Sequence, residues 1–208
     1  MGRVHLSGIV GAEQIIRMVA PMQRWTAERV RALTDESRAW PRYELVDGEL
    51  LVTPVPSPAH QIAVAAVLRA LQTYIERVGI GASVLPSPAD LELEPGTIVQ
   101  PDVFVVPLAV GETLREWTTI TSLLLAVEVL SPGSARRDRT TKRRFYMERA
   151  DVAEYWVMDL DARVIERWRR GDERPAVVYA TLEWQPDATR EPLMLDVGEL
   201  FRGVPVRS

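Results

Sequence analysis

Residues 123–133 read Leu-Leu-Leu-Ala-Val-Glu-Val-Leu-Ser-Pro-Gly, an almost continuous apolar run that ends in a turn signal. A short apolar run without polar alternation is typical of a central strand that is buried on both faces. Glu128 interrupts the run, and a carboxylate in such a strand is costly unless it is ion-paired or bound to a metal ion. The stretch therefore predicts a central strand with one ion-paired or metal-binding carboxylate.

Patterns on either side of this strand predict the rest of the fold. In residues 43–52, Asp47-Gly48 joins two alternating segments, which is a strong hairpin signal. Ser57-Pro58 is typical of a helix start, and apolar residues then recur at helical spacing up to Gly79. Further strands are predicted at residues 89–94, 102–106, 154–159 and 163–169, and further helices at residues 26–33, 137–149 and 196–201. We expect an α/β (α+β) fold with a mixed central β-sheet flanked by helices and an N-terminal β-hairpin.

Length and composition are those of an ordinary globular protein. The chain has 208 residues, of which 47% are hydrophobic and 26% are charged. We expect an N-terminal extension of uncertain structure, residues 1–24, followed by one domain over residues 25–208. The apolar runs are too short to cross a bilayer, and the N-terminus lacks the features of a signal peptide, so we expect a cytoplasmic protein with no membrane partner.

Composition also limits the chemistry. The absence of cysteine excludes disulfides, thiolate zinc sites and cysteine nucleophiles, so a metal ion would need oxygen ligands or one of the two histidines. The sequence contains no phosphate-binding glycine loop, no Gly-x-Ser-x-Gly elbow and no His-Glu-x-x-His motif. The net charge of −4 argues against a basic surface overall, although a local basic patch can still bind nucleic acid.

Asp102 is the second carboxylate at the end of a predicted buried strand. It follows Pro101 and precedes Val-Phe-Val-Val. If this strand neighbours the strand of Glu128, both carboxylates can converge on a hard cation such as Mg²⁺. Taken singly, Asp102 is equally well read as a turn residue and Glu128 as the partner of a buried arginine. Their joint occurrence favours a metal site.

A basic segment follows the central strand. Residues 136–149 contain seven basic and two acidic side chains, and the spacing of Asp138 and Lys142 places both on one helical face. A solvated helix face with a surface ion pair is the competing interpretation. Beside a metal site, such a patch suits a polyanion, and a lysine there could orient water or stabilise phosphate charge. The expected nucleic-acid-binding residues are Arg136, Arg137, Arg139 and Arg143.

Three further residues are accessory candidates. His60 lies near the start of the long helix, where it could approach a phosphate or a water molecule; a surface histidine is the competing interpretation. Glu49 on the hairpin, together with its neighbour Glu44, is a second candidate, for which a solvated carboxylate is the alternative. Asp138 is the third, through its spacing to Lys142.

Taken in order, these motifs resemble those of the Uma-two family, restriction-endonuclease-like proteins of the PD-(D/E)XK nuclease superfamily. The resemblance covers about Trp25 to Phe201, with Asp138 and Lys142 at plausible spacing. The motifs that carry it are Tyr43-Glu44-Leu45-Val46-Asp47-Gly48-Glu49, Gln100-Pro101-Asp102, Val127-Glu128-Val129-Leu130-Ser131-Pro132 and Glu154-Tyr155-Trp156.

The resemblance implies a restriction endonuclease-like core and assigns roles to three residues. Asp102 and Glu128 would bind Mg²⁺, with Mn²⁺ as a substitute, and Lys142 would assist hydrolysis of the phosphodiester. One departure from the superfamily pattern is Leu130, which stands where the (D/E)XK signature has lysine. Lys142 would therefore have to supply the cation from the following helix.

We expect a Mg²⁺-dependent endonuclease that cuts DNA, in which Asp102, Glu128 and Lys142 are catalytic. Leu130 motivates the alternative of a catalytically inactive DNA-binding or assembly module on the same fold. RNA or another phosphodiester is a further alternative substrate. A homodimer is expected, because two symmetric sites are the simplest way to cut both strands of a duplex.

Overall fold

The computed structural model describes residues 24–37, 40–109 and 112–205, so nearly all of the predicted N-terminal extension lies outside the described residues. Helices α1 to α4 are Ala27–Ser37, Pro58–Val78, Ala135–Arg137 and Val197–Leu200. Strands β1 to β14 are Arg42–Val46, Glu49–Thr53, Ala82–Pro86, Leu91–Glu94, Thr97–Val99, Val103–Pro107, Ser122–Leu123, Leu125–Val129, Asp151–Val152, Glu154–Asp159, Val164–Arg169, Ala176–Val178, Thr181–Trp184 and Leu193–Asp196. The helices in these ranges are too short or too polar to span a bilayer.

The central sheet contains six strands in the order β12-β11-β10-β8-β6-β3. Strand β8 lies in its interior, parallel to β10 and antiparallel to β6, and the other described neighbours in this sheet pair antiparallel. All five residues of β8 are buried. The predicted mixed sheet is therefore confirmed, and the apolar run of residues 125–129 forms its buried interior strand.

The strands of the structure differ from the predicted strands in three ways. The run of residues 123–130 is divided, because β7 leaves the central sheet to pair with β9. The strand predicted at residues 89–94 belongs to a second sheet, of order β2-β1-β5-β4, which contains the predicted hairpin. Strands β3 and β5 were not predicted; β3 is only partly buried and β5 has three residues, so neither has a clear alternating pattern.

Two helical layers cover the central sheet. Helix α2 packs its buried residues, such as Val67 and Leu71, against Val127 and Val129. The opposite face carries Ala126. The segment that follows β8 packs against this opposite face. In this segment, α3 continues through π-helical turns at Asp138–Lys142 and Phe145–Arg149. We call residues 135–149 the π-helical segment; it replaces the regular helix that the sequence predicts.

Candidate active site

A cleft of about 740 Å³ lies where β6 begins and β8 ends. The hairpin, the N-terminus of α2, the ends of these two strands and the π-helical segment all contribute to its wall. Its charged and histidine side chains are Arg42, Glu44, His60, Asp102, Glu128, Asp138, Arg139, Lys142, Asp159 and Asp161. The cleft therefore brings together seven of the candidates that the sequence predicts: Asp102, Glu128, Lys142, His60, Asp138, Arg139 and Glu44.

Asp102 and Glu128 lie side by side on neighbouring strands. Val103 pairs with Val127 in the antiparallel register of β6 and β8, which places Asp102 opposite Glu128. The backbone N–H of Val129 donates a hydrogen bond to Asp102 Oδ2 over 2.9 Å. This bond fixes the Asp102 carboxylate at the strand end.

His60 makes the second contact to the Asp102 carboxylate. Its Nε2 lies 3.0 Å from Asp102 Oδ2, and both side chains are mostly buried. The position of His60 is set by the helix start, because Ser57 caps α2 by accepting a hydrogen bond from the backbone N–H of His60. The start of α2 thus delivers an imidazole to the strand that carries Asp102.

Lys142 is enclosed by three carboxylates. Its Nζ lies 2.8 Å from Glu44 Oε2, 2.9 Å from Glu128 Oε1 and 3.7 Å from Asp138 Oδ1. The four side chains are each at most 5% exposed. Lys142 is also the only lysine among the chain's 25 lysines and arginines. A compact ammonium fits between three carboxylates, whereas a planar guanidinium needs more space.

Burial and crowding determine the charges in this cluster. Burial lowers the pKa of Lys142, but the carboxylates of Glu128, Glu44 and Asp138 outweigh it and hold that pKa well above its usual value. Burial raises the pKa of Glu128; Lys142 opposes this shift, while Asp138, Asp102 and Glu44 add to it. Asp138 behaves similarly, because burial raises its pKa more than Lys142 lowers it. One ammonium thus only partly compensates the surrounding acids.

The π-helical turns orient Asp138 and Lys142 toward the sheet. Both residues are buried, and the Tyr155 hydroxyl on β10 donates a hydrogen bond to the Asp138 carbonyl over 3.1 Å. Single π-helical turns within helices are frequent at functional sites. The i,i+4 pair that the sequence left open as a surface ion pair is therefore internal and lies against Glu128.

Of the four arginines expected to bind nucleic acid, one lines the cleft. Arg139 lines the cleft, but its guanidinium is ion-paired with Asp159 and Glu166, both at 2.6 Å. The remaining three, Arg136, Arg137 and Arg143, are not among the residues that line the cleft. Successive helical positions point in different directions, so closely spaced basic residues need not face one site.

Arg137 and Arg143 have contacts elsewhere. Arg137 donates a hydrogen bond to the Val52 carbonyl of the hairpin over 3.3 Å. Arg143 pairs with Glu148 at 3.0 Å, and its guanidinium carbon lies 5.2 Å from the centre of the Trp168 ring. The contacts with Val52 and Trp168 hold the π-helical segment to its neighbours, whereas the pair with Glu148 lies within the segment.

The hairpin contributes Glu44 to the site, whereas Glu49 lies outside it. Glu49 is exposed and is absent from the cleft lining. Glu44 is 2% exposed, contacts Lys142 and accepts a hydrogen bond from the backbone N–H of Gln100 over 2.7 Å. The sequence signal for this position of Glu44 is the alternate spacing of Arg42, Glu44 and Val46, which places the three side chains on one face of β1.

The donor atoms fit a hard divalent cation. The contacts described above use Asp102 Oδ2 and Glu128 Oε1, and none of the hydrogen bonds among the described residues engages Asp102 Oδ1 or Glu128 Oε2. In the same part of the chain, no three histidine, aspartate or glutamate side chains form a metal-binding group. Mg²⁺ is often held by one or two carboxylates together with water and substrate phosphate, so two carboxylates with free oxygens suffice.

Comparisons with known proteins agree with this fold. The family model "Uma2: Putative restriction endonuclease" matches residues 27–203. A crystal structure of "a putative nuclease belonging to DUF820" from Anabaena variabilis is similar to the chain with a TM-score of 0.62 and 18% sequence identity, covering 79% of this chain and 92% of the other. This likeness confirms the predicted fold class. The comparison with curated proteins gives no significant match. The matched model spans most of the chain, which therefore belongs to the Uma2 family of restriction-endonuclease-like proteins.

Proposed function

We propose that this protein is a metal-dependent endonuclease that hydrolyses DNA phosphodiester bonds in the cleft. The observation that carries the proposal is the juxtaposition of Asp102 and Glu128 on neighbouring strands, with one oxygen of each carboxylate free of hydrogen bonds to the described residues. Buried carboxylates that are only partly compensated attract a divalent cation. Family membership supports nuclease chemistry, and the two neighbouring carboxylates support a metal-dependent mechanism.

Asp102 and Glu128 would hold Mg²⁺ or Mn²⁺, and a backbone carbonyl near Val129 would serve as a further oxygen ligand. When bound, the cation would supply Lewis-acid activation of the scissile phosphate and of the attacking water. The protein's own side chains position this arrangement. His60 holds Asp102 Oδ2 from α2, and Lys142 holds Glu128 Oε1 from the π-helical segment. Lys142 would also supply a positive charge to offset the negative charge that develops on the phosphate.

The first test is cleavage of supercoiled plasmid DNA with Mg²⁺ or Mn²⁺. We expect the wild-type protein to nick or linearise the plasmid and Asp102→Asn and Glu128→Gln to abolish cleavage, because an amide replaces a charged metal ligand. Glu49→Gln is the matched control, since its carboxylate is exposed and outside the cleft. Circular dichroism of every variant verifies that the fold is retained.

Cleavage at the wild-type rate by Asp102→Asn would refute the assignment of that carboxylate. Single-stranded DNA and RNA are assayed in parallel, because the same metal chemistry can act on any phosphodiester. Faster cleavage of RNA than of either DNA would replace DNA as the proposed substrate. The proportion of linear to nicked plasmid, together with sedimentation analysis, tests whether a homodimer cuts both strands.

An inactive DNA-binding module is the second candidate. Leu130 stands in place of the usual lysine and is 9% exposed at the end of β8. The substitute, Lys142, is already bonded to carboxylates, which favours a structural role for it. Wild-type protein that binds DNA without cutting any substrate in Mg²⁺ or Mn²⁺ would support this candidate over the nuclease.

A further inference from the structure

The basic side chains of the cleft differ in how many carboxylates they contact. Lys142 contacts three carboxylates, and Arg139 is ion-paired with two. His60 is paired with Asp102. The remaining basic side chain of the cleft is Arg42, at the start of β1.

The Arg42 guanidinium lies over the ring of Trp40, with its carbon 4.2 Å from the ring centre. Within the described ranges it makes no ion pair or hydrogen bond, and its Nε is a buried donor without a partner. Buried donors are nearly always satisfied in folded proteins, so this one calls for a ligand. Both Arg42 and Trp40 line the cleft, which places the unpaired donor where a substrate would lie.

The charge of Arg42 is maintained beside the proposed metal site. Burial lowers its pKa, while the carboxylates of Asp102, Glu44 and Glu128 raise it. Arginine nevertheless remains a cation at neutral pH. These acids act on Arg42 from beyond ion-pair distance, so its N–H donors stay free for an anion in the same space.

We propose that Arg42, stacked on Trp40, binds a phosphate of the nucleic-acid strand next to the bond that is cut. The inference rests on the proposed function and identifies the residue that anchors the substrate. A guanidinium can donate two parallel hydrogen bonds to a phosphate, and stacking on an indole ring leaves its in-plane N–H groups free. This anchoring cation lies on the hairpin, outside the basic segment whose arginines the sequence predicts to bind nucleic acid.

The test compares DNA binding by Arg42→Gln and Arg69→Gln with that of the wild type. Arg69 is the matched control, because it is exposed on α2 and lies outside the cleft. Fluorescence anisotropy of labelled DNA in Ca²⁺ measures the Kd over a series of salt concentrations. We expect Arg42→Gln to raise the Kd about tenfold or more. The slope of log K against log salt should fall by about 0.9, corresponding to one lost phosphate contact, and Arg69→Gln should change neither quantity.

A second measurement separates a phosphate contact from a structural effect. Methylphosphonate substitution removes the charge of one phosphate at a time along the DNA. We expect one or two positions at which it weakens binding by the wild type but not by Arg42→Gln. Arg42→Lys retains the charge without the planar fork, so it should restore the salt slope but only part of the affinity. It also carries the test if Arg42→Gln fails to fold.

The outcomes distinguish the two proposals. Wild-type Kd and salt slope in Arg42→Gln would overturn the role of Arg42 and leave the nuclease proposal standing. The role of Arg42 would also be overturned if each methylphosphonate weakened DNA binding by the wild type and by Arg42→Gln equally. A wild-type protein that binds no nucleic acid under any condition would overturn both proposals.

Discussion

At the residue scale, Lys142 compensates charges that would otherwise repel one another. Glu44, Glu128 and Asp138 come from the hairpin, the central sheet and the π-helical segment, and each directs an oxygen toward the same ammonium. Removing one partner of a buried ion pair leaves uncompensated charge in a medium of low polarity. The cluster therefore joins three parts of the fold through a single side chain.

We predict that Lys142→Met lowers the free energy of unfolding by about 3–5 kcal/mol, because it leaves three buried carboxylates without a cation. Lys142→Arg should also destabilise the protein, since the guanidinium does not fit the site of the ammonium. Urea unfolding monitored by tryptophan fluorescence measures both changes. Arg143→Met is the control, and its partly exposed ion pair predicts a loss of about 1 kcal/mol or less.

Combining Lys142→Met with Glu44→Gln tests the cause of the destabilisation expected for Lys142→Met. If charge repulsion explains the loss, removing one carboxylate should recover part of the stability, and the two substitutions should be non-additive. Simple additivity, or a Lys142→Met variant as stable as the wild type, would show that Lys142 does not compensate these acids.

At the element scale, the turn of the hairpin is tied to the π-helical segment by Asp47. The carboxylate of Asp47 is ion-paired with Arg144 and Arg149. Asp47 has a positive φ of 56°, a conformation that asparagine also adopts readily. Because Glu44 on this hairpin contacts Lys142 on the same segment, the turn contact supports the alignment of two elements that form the cleft.

We predict that Asp47→Asn lowers the free energy of unfolding by an amount that depends on pH. Burial raises the pKa of Asp47, but Arg144 and Arg149 outweigh it, so that pKa lies below its ordinary value of 3.8. A lowered folded-state pKa contributes stability above 3.8, and this contribution disappears as the pH falls through the folded-state pKa. At neutral pH the variant should lose about 1 kcal/mol or less, since these ion pairs are partly exposed.

Urea unfolding across the acid range measures the difference between Asp47→Asn and the wild type. The difference should shrink toward zero as Asp47 becomes protonated. Asp151→Asn, at an exposed position of β9, is the control and should show no such trend. A destabilisation that stays constant with pH would mean that Asp47 acts through turn geometry and not through its charge.

At the scale of the whole molecule, the proposed metal ligands lie on or directly before two neighbouring interior strands of the six-stranded sheet. Asp102 immediately precedes β6, and Glu128 lies within β8, whose two faces are covered by α2 and the π-helical segment. The two carboxylates therefore lie side by side only in the folded state. A cation that binds them must stabilise the entire fold by mass action.

We predict that Mg²⁺ and Mn²⁺ raise the unfolding temperature of the wild type and not that of Asp102→Asn. At a metal concentration 100 times the Kd, the stabilisation should be about 2.7 kcal/mol. Differential scanning calorimetry measures the shift without reference to catalysis, with NaCl at equal ionic strength as the control. Equal shifts in wild type and variant would place metal binding elsewhere on the protein.

Local sequence patterns determined much of the fold and part of the site. The apolar run around Glu128, the Asp-Gly turn and the capped start of α2 each report on their own segment, because periodicity and turn chemistry act over a few residues. They correctly indicated a buried central strand, a hairpin and a long helix. They also identified Asp102 and Glu128 as carboxylates at the ends of buried strands.

Tertiary structure decided which side chains meet at the cleft. The enclosure of Lys142 by Glu44, and the position of Arg42 over Trp40, depend on how the hairpin packs against the rest of the molecule. The direction of each arginine on the π-helical segment depends on turns that the sequence pattern does not reveal. Contacts between residues far apart in sequence are set by packing of whole elements, and a single sequence records periodicity within those elements but not their partners.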